Sequence, residues 1–222
     1  MSRRSDTATP ALHELAGRSA PERSDGRDSR ARLVAAVNAW VAEHGRAPSR
    51  LADVAQLAGL STATAYRHFA SVDDAIQAFV LQLPDRAIDR FRESASDAES
   101  ASDRFRRWNR AWVEACLEHG ELAVRLRSPI GFLERRRNGD PVLAHLCATL
   151  DPVLDALTQP AANPQPTANP QPTANPRTDS TLLLFTWNVV SDPREVLDLT
   201  KLGWSPERIA EFVTDVVLAV AR

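Results

Sequence analysis

Residues 49–69, SRLADVAQLAGLSTATAYRHF, hold two short apolar-periodic segments on either side of a glycine-containing turn, and this pattern leaves the segment few ways to fold. Leu51, Val54 and Ala55 fall at spacings of three and four, the period of one helix face. Ala58-Gly59-Leu60 forms the turn, where glycine accepts the positive φ that other residues resist. Ser61 is placed to cap a second helix by accepting a hydrogen bond from a free amide at its N-terminus. That helix runs from Thr62 to Phe69, small at its start, polar through Tyr66, Arg67 and His68, and anchored by Phe69. Small residues let a helix N-terminus enter a major groove, and longer polar ones reach phosphates and base edges. The pattern is that of a helix-turn-helix. Ser49, Arg50, Ser61, Thr62, Ala63, Thr64, Tyr66, Arg67 and His68 are its expected DNA-facing residues.

The match extends well beyond the turn. An amphipathic first helix ends at Glu43-His44-Gly45, Thr64-Ala65-Tyr66-Arg67-His68-Phe69 closes the second helix of the motif, and Ser71 opens another. In this register, from about Arg32 to Leu83, the segment resembles the N-terminal domain of the TetR family of transcriptional regulators. Two positions depart from the family pattern. Ala65 stands where a larger apolar residue is usual, which predicts looser packing under the recognition helix, and Val72 lies near the place of a phosphate-contacting lysine. The resemblance implies an all-α chain with a three-helix DNA-binding domain at 29–83 and a larger helical effector-binding and dimerisation domain at 84–222. It further implies a non-enzymatic homodimer on double-stranded operator DNA, acting as a repressor released by a small apolar effector, with no cofactor. The last two main helices would pair with their copies in a four-helix bundle, through Phe185, Ile209, Phe212, Val213, Val216 and Val220.

Charge gives DNA binding only local support. From Leu33 to Leu83 there are three arginines, Arg46, Arg50 and Arg67, against four acids, so the domain lacks a basic footprint. Phosphate attraction is expected from Arg50, Arg67, His68 and the free amides of helix N-termini. Residues 1–28 are rich in Ser, Arg, Asp, Ala and Pro without periodicity and read as a disordered arm. A solvated tail is the favoured reading of that arm, with minor-groove contact the alternative.

The whole chain, 222 residues with 43% hydrophobic and 25% charged residues and a formal charge of -2, suits a folded domain with a substantial core. The N-terminus has no continuous apolar stretch of the signal-peptide kind. The longest apolar run, Leu182 to Val190, is far below membrane-spanning length, so a cytoplasmic protein without membrane partners is expected.

Beyond residue 70 the sequence alternates helical stripes with caps. Ser71 and Asp74 make a capping-box variant, and Ile76, Val80, Leu83, Ala87 and Phe91 keep one stripe in phase across Pro84, which predicts one long kinked helix. Further helices are expected through Phe105, Trp108, Trp112 and Cys116 to an end near His119-Gly120, over Leu122–Leu126, from Phe132, from Asp140-Pro141, over Asp179–Val190, after Asp192-Pro193, and from Ser205-Pro206-Glu207. Between them, at 159–178, Ala162-Asn163-Pro164-Gln165-Pro166-Thr167 repeats and begins a third time. Its prolines exclude a helix or a central strand, so a flexible loop is expected.

No phosphate loop, nucleophile elbow or zinc-protease motif occurs. An alternative reading is an all-helical enzyme or metal sensor built on Cys116 with His119 and Cys147 with His145, although these spacings fit zinc motifs poorly. Two cysteines make no disulfide framework. The aromatic residues Phe105, Trp108, Trp112, Phe132 and Trp187, with Cys116, are either core or the wall of a ligand pocket, with Asn109, Arg110 and Asn188 as polar anchors.

Overall fold

The computed structural model describes residues 20–95, 99–159 and 179–221, and every regular element among them is helical. Residues 1–19 of the arm and the Ala-Asn-Pro-Gln-Pro-Thr repeats lie outside the described residues. No helix among those described is long and apolar enough to cross a membrane.

Four helices form the head: α1 Ala20–His44, α2 Leu51–Leu57, α3 Thr62–His68 and α4 Val72–Val80. The start of α1 corrects the sequence expectation, because residues 20–28 continue the helix rather than a disordered arm. Proline at position 21 suits this early start, since its fixed φ is helical and the first turn needs no N–H from it. The head core is shared by all four helices. Leu33 and Val37 come from α1, Val54 from α2, Ala65 from α3, and Ile76 and Val80 from α4, all at most 1% exposed. Burying each large aliphatic side chain contributes about 1.5–3 kcal/mol.

The expected single kinked helix is two helices, α4 and α5 (Leu83–Glu93), joined through Leu81 and Gln82. Pro84 has no N–H with which to continue the ladder, and the amide of Gln82 turns back to the Phe79 carbonyl at 3.0 Å, a tighter i→i−3 bond. The apolar stripe nevertheless stays in register, with Ile76, Val80, Leu83, Ala87 and Phe91 all buried.

The body packs α5, α6 (Ala101–His119), a 3-10 segment (Gly120–Leu126), α7 (Phe132–Arg137), α8 (Pro141–Thr158), α9 (Ser180–Val190), α10 (Pro193–Lys201) and α11 (Pro206–Ala221). Helix α6 is central, covered by α5 and α11 among others. Its buried face carries Phe105, Trp108, Trp112 and Cys116, and Asn109 at its middle joins a fully buried polar chain. Trp187 Nε1 donates to Asn109 Oδ1 at 2.9 Å, and Asn109 Nδ2 donates to Thr214 Oγ1 at 2.9 Å, so α6, α9 and α11 are tied by satisfied hydrogen bonds. Head and body meet where Leu122 of the 3-10 segment enters the head core and Arg125 pairs with Asp73 at 2.9 Å.

Candidate nucleic-acid interface and ligand cavity

The turn between α2 and α3 is closed by two hydrogen bonds, Leu60 N–H to the Ala55 carbonyl at 2.9 Å and Gly59 N–H to that of Gln56 at 3.0 Å. This Schellman arrangement requires the left-handed φ of +65° found at Gly59. A Cβ there would also lie 3.1 Å from Arg32 Nη2, which donates to the Ala58 carbonyl at 2.6 Å. The turn angle between the two helices is thus fixed by backbone and pinned from α1.

Helix α3 is anchored by Ala65 and Phe69, both buried, and it exposes the opposite side. Ala65 is fully enclosed despite its small size. Ser61 Oγ accepts from the Thr64 amide at 3.0 Å, and Arg67 Nη2 reaches Thr64 Oγ1 at 3.0 Å. Tyr66 is 58% exposed, and Ser61, Thr62, Ala63 and Arg67 are exposed beside it; Thr64 and His68 are half-buried. Ser49 and Arg50 are exposed at the start of α2, but Arg50 is engaged by Asp53 through Nε at 3.0 Å and Nη2 at 2.6 Å. Its charge is therefore shared with a neighbour rather than free for phosphate. Residue reasoning missed Arg30 and Arg32, which the extended α1 holds against the motif, Arg30 with its guanidinium 5.0 Å from the centre of the Phe69 ring. The signal was present as closely spaced arginines, but it carries meaning only once residues 20–32 are helical.

The body contains a narrow cleft with about 30 Å³ of free space inside it. Trp112, Phe132 and Trp187 line it together with Asn188 and with Pro84, which lies beside the α4–α5 joint. Phe105, Trp108 and Cys116 do not line it; all three are completely buried in the body core, where Trp108 packs between Phe91 and Trp187. Asn109 is buried in the polar chain described above, and Arg110 is exposed on the far side of α6. Two arginines enter the wall that the sequence did not single out, Arg127 and Arg135. Arg127 is paired with Asp192 at 2.5 Å and donates to Asn188 Oδ1 at 2.8 Å, and Arg135 is paired with Asp140 at 2.8 Å. Burial would raise the Asp192 carboxyl, but Arg194 and Arg127 hold it below its ordinary value; Arg135 and the α8 amides do the same for Asp140.

The metal-sensor alternative finds no site. His119 is buried and stacked on Phe79, His145 is exposed 3.4 Å from Asp85, and no group of three or more potential ligands converges among the described residues. Burial pushes both thiols up, Cys147 to about 11, which leaves them protonated at neutral pH.

On the outer side of α9 and α11, Phe185 and Phe212 are 49% and 42% exposed, with Leu182 and Val189 beside Phe185 and with Val216 and Val220 half-buried. Ile209 and Val213 belong elsewhere: at 0% and 1% exposure they pack into the core of their own chain, because α11 turns that edge of its broad apolar face toward α6.

No family model and no curated protein matches the sequence. Solved structures match the fold. The fatty acid degradation regulator FadR from Bacillus halodurans aligns with a TM-score of 0.58 at 14% identity, over 86% of this chain and 94% of that one. A TetR family transcription regulator from Marinobacter aquaeolei VT8 aligns with 0.52 at 17%, over 89% and 97%. The TetR-like transcriptional regulator LfrR from Mycobacterium smegmatis, solved in complex with proflavine, aligns with 0.52 at 16%, over 86% and 94%. The chain has the fold of the TetR-family transcriptional regulators.

Proposed function

We propose that this protein is a sequence-specific DNA-binding transcriptional regulator, a homodimeric repressor that a small ligand with a largely apolar body releases from its operator. The observation that carries the reading is α3, a capped helix with a buried Ala65/Phe69 underside and an exposed Tyr66/Arg67 face, set on a fixed turn. Such a helix offers its N-terminal end to a major groove, with Tyr66 and Arg67 as base-edge readers and Ser61, Thr62, Thr64 and His68 as positioning contacts. The exposed Phe185 and Phe212 favour a second copy across α9 and α11, which would present two heads to two half-sites.

Ligand release requires two states that differ in the spacing of the heads, with DNA and effector preferring different ones. The cleft favours this reading because it extends from Trp187 to Pro84, the residue that interrupts the helical connection to the head. A molecule that parts the narrow walls acts directly on that joint.

The test is capture of sheared genomic DNA from the source organism by the full-length protein, followed by sequencing. Wild type should enrich discrete fragments, and the double variant Tyr66→Ala/Arg67→Ala should enrich none. Uniform recovery by both proteins would reject sequence-specific binding by this face.

A further inference from the structure

The charges around the cleft are arranged unequally. Its wall contains Arg127 and Arg135 and no carboxylate; Asp192 and Asp140, which pair with them, lie behind. Asp192 is also bound by Arg194 at 2.7 Å, so two carboxylates serve three guanidinium groups and one positive charge is left over. The two wall arginines differ in how fully they are used. Arg127 places Nε and Nη2 on Asp192 and Nη1 and Nη2 on the side chain and carbonyl of Asn188, which locks it. Arg135 gives Nε and Nη2 to Asp140, and its Nη1 has no partner among the described residues. The rings of Trp112, Trp187 and Phe132 line the same cleft.

We propose that the cleft takes an amphipathic monocarboxylate, with its carboxylate on Arg135 and its apolar body against Trp112, Trp187 and Phe132. The assignment rests on reading the cleft as the effector site. A cation is disfavoured because the inward charges are guanidinium groups. A neutral apolar molecule would strip water from the free Nη1 of Arg135 and offer it nothing in return. A carboxylate makes a charge-assisted hydrogen bond there while leaving the Asp140 pair in place.

The experiment is isothermal titration of the full-length protein with two matched series, octanoate, octan-1-ol and octylamine, and 2-naphthoate, 2-naphthalenemethanol and 2-naphthalenemethylamine. Each compound is also added to a gel-retardation assay on a DNA fragment that the protein enriches. In at least one series the acid should bind about tenfold or more tightly than its alcohol and its amine. Arg135→Gln should abolish the preference of acid over alcohol, Arg135→Lys should retain part of it, and Phe132→Ala should weaken acid and alcohol alike. Because Arg135 also braces Asp140 at the start of α8, the lysine variant tests the charge if the glutamine variant is destabilised. No binding by either acid, equal affinity of acid and alcohol, or a preference that survives Arg135→Gln would each overturn the assignment. Equal binding that still releases DNA would overturn the anion while leaving the effector site standing. An acid preference that depends on Arg135 but leaves DNA retention unchanged would keep the anion site and remove its role as effector.

Discussion

The imidazole of His119 lies almost flat on the ring of Phe79, with centroids 4.4 Å apart and planes 19° from parallel. One ring ends α6 in the body and the other sits in α4 of the head, so this stack is a direct seam between the two. His119 is fully buried, its Nδ1 is 2.8 Å from the Ala115 carbonyl, and its Nε2 has no partner among the described residues. Burial lowers its pKa against the raising effects of the Ala115 carbonyl, Glu118 and the Phe79 backbone, with Arg86 adding to the lowering.

The seam should therefore weaken in acid. The unfolded chain takes up a proton at His119 near pH 6.5 and the folded chain does so only at lower pH, so the unfolded state binds more protons as the pH falls below about 6.5. Stability from neutral His119 is complete above that value and is lost as the pH drops through the folded pKa. Denaturant midpoints between pH 7.5 and 5.5 should fall more steeply for wild type than for His119→Phe, which keeps a stacked ring without the titration. The carboxylates Asp192 and Asp140 are common to both proteins and cancel in the comparison. Parallel slopes would remove His119 from the pH response.

Asn109→Leu should lower stability by about 1–3 kcal/mol, the cost of leaving buried polar groups unpaired. It strands Trp187 Nε1 and takes a donor from Thr214, both inside the core. Thermal melts of the variant and wild type measure it. An unchanged melting temperature would mean that the polar chain does not constrain α6, α9 and α11.

Phe185→Arg combined with Phe212→Arg should yield a folded monomer by sedimentation equilibrium, since both side chains are half out of their own chain. Ile209→Arg should unfold the protein instead, because that side chain is fully enclosed. A double variant that remains dimeric would place the contact between copies on another face.

What the sequence revealed and what it concealed divide along physical lines. The α2–α3 turn, the Ser61 cap and the Ser71–Asp74 capping box were legible because their chemistry is local: a glycine at positive φ, or a hydroxyl three residues from an amide. Trp108 and Trp112 lie four apart on one helix stripe, and only the helices packed over them decide that Trp112 meets the cleft and Trp108 does not. The same holds for Ile209 and Phe212, whose spacing on α11 is equally compatible with facing inward or outward. Of the two cleft arginines, Arg127 escaped notice because it meets Asp192 across 65 residues, a relation that no local pattern encodes.

At the reading face, Tyr66→Ala and Arg67→Ala should each weaken binding to a specific duplex by about 1–3 kcal/mol, the value of a base-edge contact, without lowering stability. Anisotropy titrations at matched salt measure this. Unchanged affinity in both would mean that α3 presents a different face.

The central claim, a dimer that reads DNA through two copies of α3, is tested most directly by selecting duplexes from a random-sequence pool with the full-length protein. The account predicts enrichment of a two-fold symmetric sequence whose half-sites are separated by about one or a few helical turns, and loss of that enrichment with Tyr66→Ala/Arg67→Ala. A pool that stays random after repeated rounds, or a motif that the double variant selects equally well, would contradict it.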